Sequence, residues 1–164
     1  MFLQKILERG PGKFIEVNDT ASMSLGYSKE ELIKMEIKDI ISSDTVLYLP
    51  TVFENVIMDG KATFESDHVT KKGEIFPVEV NTHVFKIRGE KHLLSIARDI
   101  SERKKAEKAL IISEEKYRTI FENIQDVFFQ TDQDGILKTL SPSVERYSGY
   151  RPEDIIGKPA DFFM

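Results

Sequence analysis

The sequence lacks cysteine among its 164 residues. Without cysteine the chain has no disulfide, no thiolate metal site and no cysteine nucleophile, and it cannot attach a chromophore through sulfur. No apolar run approaches the roughly 18–20 residues that a transmembrane helix needs, and the N-terminal segment has no signal-peptide pattern. We therefore expect a cytoplasmic location and no direct membrane contact for this segment.

Basic residues are fewer than acidic residues in this sequence. The 23 Lys and Arg residues are outnumbered by 28 Asp and Glu, which gives a net charge of −5. A general attraction to nucleic acid or to anionic membranes is therefore not expected. The contents of 40% hydrophobic and 31% charged residues are ordinary for a folded globular protein.

Histidine is also scarce, and no catalytic or metal-binding motif compensates. The three histidines, His68, His83 and His92, fall on three different predicted strands without metal-site spacing. The segment "ERGPGKF" lacks the first Gly and the Ser or Thr of a phosphate loop, and "TDQDG" lacks the spacing of a calcium loop. We predict no catalytic residue and no metal site.

Turn residues and caps organise the first part of the chain. Residues 2–18 predict two strands around a turn at Gly10-Pro11-Gly12. Residues 18–35 predict short helices, with a capping box that begins at Ser28. Residues 42–60 predict a longer helix. After Gly60 the hydrophobic period changes to two, which predicts three antiparallel strands with turns at 71–73 and 88–90. The order of these elements indicates an α+β fold.

The stretch "SIARDISERKKAEKAL" (Ser95–Leu110) runs from a strand pattern directly into a helix pattern. Ser101 is a good N-cap for this helix. The basic run Arg103-Lys104-Lys105 does not suit the positive end of the helix dipole, so helix stability alone does not explain it. Apolar positions spaced by three and four predict a short coiled coil and a homodimer. The dimer seam that we expect consists of Ala106, Leu110, Tyr117 and Ile120.

The end of the chain repeats its beginning. Residues 14–33 align with residues 137–156, and both copies contain "GY" followed by an acid pair and an aliphatic pair. Two strands around Asp134-Gly135 are predicted just before the second copy. We therefore divide the chain into a nearly complete unit (1–101), a coiled-coil-like linker helix (101–125) and the first half of a second unit (126–164). This organisation is typical of a segment of a longer protein with tandem modules.

The first unit resembles a PAS domain. The motifs that carry the resemblance are "FIEVNDTA", "LGYSKEEL", "TKKGEIFPVEV" and "ARDISERKKAEKAL", and "EEKYRTIFENIQDVFFQTDQDG" is similar to the opening of a second PAS domain. The resemblance implies an α+β PAS fold. Its five-stranded antiparallel sheet carries short helices on one face and is followed by a long linker helix and half of a second PAS domain.

The resemblance also gives the strand-to-helix joint a role. In the family, the last strand of the sheet passes directly into the helix that carries the signal onward, which makes Asp99, Ile100 and Ser101 the candidate transmission joint. The acid at the Asp99 position is often paired with a basic residue, here one of Lys71, Lys72 or Arg98. The alternative is a plain helix cap followed by an inert linker.

A ligand cleft between sheet and helices is implied in the same way. Each candidate lining residue has plain core packing as its alternative, and His68 is of interest because it shares a strand face with Phe64 and Ser66. The cleft candidates are Val17, Phe53, Val56, Ile57, His68, Val78, Val80, Leu94 and Ile96.

The cofactor stays unknown. Haem-binding members usually carry a histidine on the helix before the three strands, and the segment "TVFENVIMDG" has none. Light-sensing flavin members need a cysteine, which is absent, and nothing in the sequence indicates a noncovalent flavin. Neither haem nor a cysteinyl flavin is therefore expected.

The function that the resemblance implies is sensing and dimerisation within a signal-transduction protein, most often a sensor histidine kinase. The segment would sense a small molecule or a partner, and the output domain would lie elsewhere in the same polypeptide. The first alternative is a ligand-free dimerisation module. The second is an enzyme on a PAS-like scaffold, which would need a polar, titratable pocket.

Overall fold

The computed structural model describes residues 1–7 and 10–162. It divides into two compact units, Met1–Lys104 and Lys105–Met164. Residues 8–9 and 163–164 lie outside the described residues.

The first unit is built on a five-stranded antiparallel sheet with the order β2-β1-β5-β4-β3, so β2 and β3 form its edges. The α+β prediction and the three strands after Gly60 are confirmed. The strands are β1 (Phe2–Leu7), β2 (Gly10–Val17), β3 (Lys61–Val69), β4 (Ile75–Ile87) and β5 (Glu90–Asp99).

The segments between β2 and β3 are helical: α1 (Asp19–Leu25), α2 (Lys29–Leu32), a 3-10 helix (Ile37–Asp39) and α3 (Ser43–Asp59). The predicted capping box at Ser28 is present, with reciprocal bonds of 2.9 and 3.1 Å to Glu31. Gly60 ends α3 at a φ of 75°, a conformation that favours glycine.

The core of the first unit lies between the helices and one face of the sheet. Its buried members come from both layers: Phe2, Phe14, Val17, Ala21, Leu25, Leu32, Ile40 and Ile41. Burial of these side chains is the main stabilising contribution to the unit.

Helix α4 (Ser101–Asn123) follows β5 without an intervening loop. Its 23 residues span about 35 Å. None of the helices in the described part of the chain is long and apolar enough to cross a membrane.

The second unit continues with β6 (Phe129–Thr131), β7 (Leu137–Leu140), α5 (Ser143–Ser148), α6 (Pro152–Ile155) and a 3-10 helix (Ala160–Phe162). This order repeats that of β1 to the first 3-10 helix. The two copies of the sequence repeat also bury corresponding residues in their cores. Four aligned pairs are buried in both copies: Phe14 and Leu137, Val17 and Leu140, Ala21 and Val144, and Leu32 and Ile155.

Two local predictions were wrong. Gly10-Pro11-Gly12 forms the start of β2 and not a turn, since Leu7 already pairs with Gly10. Ser101 is not the N-cap of α4, because the N–H of Lys104 donates to the carbonyl of Ile100 (2.9 Å) and places Ile100 at the cap position.

Candidate ligand cavity and signalling joint

A cavity of about 50 Å³ lies between the sheet and α3 in the first unit. The lining consists of Phe2, Ile37, Ile41, Val52, Phe53, Val56, Phe64, Ser66, His68, Val80, Thr82, Leu93, Ser95 and Ala97.

Four of the nine predicted cleft residues line this cavity: Phe53, Val56, His68 and Val80. Val78 borders a neighbouring groove, and Val17 is buried in the core instead. Ile57 is half-buried on α3 outside the lining.

Leu94 and Ile96 were assigned to the wrong face of β5. The strand is paired so that Thr82 faces Ser95 and Val80 faces Ala97, which turns the odd-numbered residues towards the cavity. Ile96 is 54% exposed. A one-residue difference in alternation moves every side chain of a strand to the other face.

A polar stripe crosses the otherwise apolar cavity wall. The hydroxyl oxygens of Thr82 and Ser95 lie 2.8 Å apart, and the Thr82 hydroxyl donates to the carbonyl of Leu94 (3.3 Å). Either hydroxyl can be the donor in the Thr82–Ser95 hydrogen bond. In both arrangements Ser95 keeps at least one lone pair as an acceptor.

His68 is the titratable residue of the lining. Its side chain is 3% exposed and packs edge-to-face against the rings of Phe2 and Phe76. Burial, together with the positive charge of the Met1 amino group, lowers the pKa of His68 to about 4. The imidazole is therefore neutral near neutral pH.

The joint between β5 and α4 is fixed by two hydrogen bonds and by the burial of Ile100. The Ile100 N–H donates to the carbonyl of Pro77 (3.0 Å), and its side chain is 4% exposed. The Asp99 carboxylate accepts from the N–H of Ser101 (2.8 Å) and so satisfies a free donor of the first helical turn. Lys71, one of the expected partners of Asp99, pairs with Glu31 at 2.6 Å.

Ion pairs connect the start of α4 to the sheet, and sequence reasoning missed them. Arg103 contacts Glu65 at 2.7 Å and Glu79 at 3.4 Å, and Lys104 contacts Glu65 at 2.5 Å. The Lys104 ammonium, with Arg103 beside it, holds the pKa of Glu65 below its ordinary value. The basic run that the helix dipole does not explain thus has acidic partners on β3 and β4.

The predicted seam of α4 is exposed. Leu110 is 61% exposed, and Tyr117 and Ile120 are each 57% exposed. Large apolar side chains repeated along one side of a helix form a surface that a partner helix can cover.

The comparisons with known proteins agree with this architecture. The family described as PAS domain matches residues 3–102, and the family described as PAS fold matches residues 115–160. The chain therefore belongs to the PAS domain family.

Two curated relatives carry signalling names. The chain is 39% identical over 99 residues to the methyl sulfide methyltransferase-associated sensor of Methanosarcina acetivorans, a match of 58% of this chain and 10% of that protein. It is 29% identical over 126 residues to sporulation kinase E of Bacillus subtilis, a match of 76% of this chain and 16% of that protein. The chain thus spans only a small part of the length of either relative.

Solved structures share the fold. A PAS domain from Colwellia psychrerythraea matches with a TM-score of 0.53 and 23% identity, covering 62% of this chain and 86% of that one. The PAS domain of an HTR-like protein from Haloarcula marismortui matches with a TM-score of 0.51 and 25% identity, covering 60% and 80%. PAS domains are in general sensory modules without catalytic activity.

Proposed function

We propose that this chain is the sensory and dimerisation segment of a sensor histidine kinase. Support comes from the PAS family membership and from relatives whose names describe a sensor and a kinase. In this proposal the output domain belongs to the same polypeptide, the segment works in the cytoplasm as a homodimer, and the domain boundaries are those expected from the sequence.

The single observation that supports signal transmission best is the alternation of β3. Phe64 and Ser66 line the cavity, whereas Glu65 between them pairs with Arg103 and Lys104 at the start of α4. A ligand that displaces β3 therefore also displaces the partner of α4. We propose that this strand and the joint at residues 99–101 together pass a change in cavity packing into the helix.

Native mass spectrometry of the protein as purified tests the sensory role. We expect an excess mass on the folded protein that disappears on unfolding, because a ligand of the cavity is bound only by the native state. The size of this mass also limits the identity of the ligand. A clean dimer that no small molecule stabilises against heat would contradict ligand sensing.

The second candidate function is a dimerisation module without a ligand. The observation that favours it is the exposed apolar side of α4, which includes Leu110, Tyr117 and Ile120. The same spectrum distinguishes the two candidates, since this alternative predicts a dimer whose mass is that of two polypeptide chains with no bound molecule.

A further inference from the structure

We propose that the cavity of the first unit selects a small uncharged molecule with an apolar body and one hydrogen-bonding group of the hydroxyl type. This proposal rests on the proposed function, because it names the class of ligand that the same cavity takes. It is supported by the uncharged lining, by the hydrogen-bonding groups in that lining and by an acidic groove next to the cavity.

The lining contains no ionised side chain. Its residues include none of Asp, Glu, Lys or Arg, and His68 is neutral. An ionised ligand group buried there would have no opposite charge to pair with, and such burial is strongly unfavourable. The cavity therefore discriminates against carboxylates and ammonium groups.

The polar residues of the lining, which are the stripe of Thr82 and Ser95 together with Ser66 and His68, have unused hydrogen-bonding capacity. Within the described residues, the side chains of Ser66 and His68 have no hydrogen-bond partner, although they are only 8% and 3% exposed. A neutral imidazole offers one donor and one acceptor, and Ser95 keeps at least one lone pair as an acceptor. A hydroxyl group both donates and accepts, so it satisfies this stripe, whereas a hydrocarbon leaves it unpaired.

A neighbouring groove adds to the discrimination against anions. It shares Val52, Phe64 and Ser66 with the cavity. Asp44, Glu65 and Asp67 line this groove, and Glu65 is paired with Lys104 and Arg103. The unneutralised negative charge in this groove repels an anion that approaches through it.

Titration with four one-ring probes tests the proposal on the whole 164-residue chain. Phenol carries a hydroxyl group where toluene carries a methyl group, and benzoate and benzylammonium carry a charge of either sign. We expect phenol to bind about threefold to tenfold more tightly than toluene, the ratio that one net hydrogen bond gives. We expect neither ion to bind. Amide chemical shifts of Ser66, Thr82 and Ser95 locate the binding.

A matched pair of substitutions assigns the preference to the stripe. His68→Phe should reduce the preference for phenol over toluene, whereas His83→Phe should leave the preference unchanged, because His83 is exposed on β4. Ser95→Ala provides a second variant with a smaller change in packing.

The outcomes separate this proposal from the proposed function. Equal binding of toluene and phenol, or tighter binding of either ion, overturns the ligand class while the cavity remains a binding site. Failure of all four probes, combined with a purified protein that carries no ligand, overturns both.

Discussion

At the scale of single residues, His68 couples the stability of the first unit to pH. Its side chain is buried between the rings of Phe2 and Phe76, and burial lowers its pKa to about 4. In the unfolded chain an imidazole titrates near its ordinary value of about 6.5. As pH falls below this value, the unfolded state binds the proton and the folded state does not, so stability is lost.

We expect the free energy of unfolding of the first unit to fall by about 2 kcal/mol between about pH 7 and about pH 5 through this residue alone. Chemical unfolding at a series of pH values measures the slope. His68→Phe should flatten the profile in this window, and His83→Phe should not. A variant at His68 that keeps the full slope would assign the pH dependence to other groups.

Residue-level prediction from the sequence succeeded for the face shared by Phe64, Ser66 and His68 and failed for Leu94 and Ile96. The alternation of β3 can be read from its own sequence. On β5, apolar residues occur at both parities, Leu93 beside Leu94 and Ile96 beside Ala97, so periodicity does not identify the inner face. Pairing with β4 decides it, and this pairing is a property of the folded sheet.

At the scale of elements, the start of α4 is anchored to the sheet by charge. Glu65 on β3 contacts both Arg103 and Lys104, and Glu79 on β4 contacts Arg103. These side chains are exposed enough for salt to screen them, so each pair contributes little to global stability. Their effect is local, because they limit the directions in which the first turn of the helix can move.

Glu65→Gln should raise the rate of amide hydrogen exchange in the first two turns of α4 severalfold, with little change in the melting temperature. High salt should produce the same effect in the unmodified protein and a smaller further effect in the variant, which keeps the contact between Arg103 and Glu79. Glu54→Gln on the exposed side of α3 is the matched control. Unchanged exchange at low salt would show that the Ile100 and Asp99 contacts fix the helix alone.

Sequence reasoning located the elements well where local signals determine them. The capping box at Ser28 and the glycine stop at Gly60 mark helix ends by short-range hydrogen bonding and backbone conformation. The partners of Arg103 and Lys104 were missed because Glu65 lies 38 residues before Arg103, and the sequence alone does not specify such a contact.

At the scale of the whole molecule, the proposed homodimer depends on the exposed apolar side of α4. Leu110→Asp should weaken the proposed homodimer by at least about tenfold, because it places a charge in the apolar seam of α4. Light scattering behind a sizing column, over a range of protein concentrations, measures the change.

Thr119→Asp introduces the same charge on the opposite side of α4 and should leave the dimer intact. If the Leu110 variant stays dimeric as well, the interface lies elsewhere, on the sheet or near the N-terminus. The domain boundaries also stay a prediction at this scale, and the dimer experiment does not depend on them.

The two edges of the five-stranded sheet bear on aggregation. An open edge strand is a template for β-pairing with another chain unless proline or charge interrupts it. Here the β2 edge contains Pro11, and the β3 edge contains Lys61, Glu65 and Asp67. These residues discourage the addition of a strand from another chain. Glu65, which pairs with Arg103 and Lys104 at the start of α4, is thus also one of the charged edge residues that oppose fibre formation.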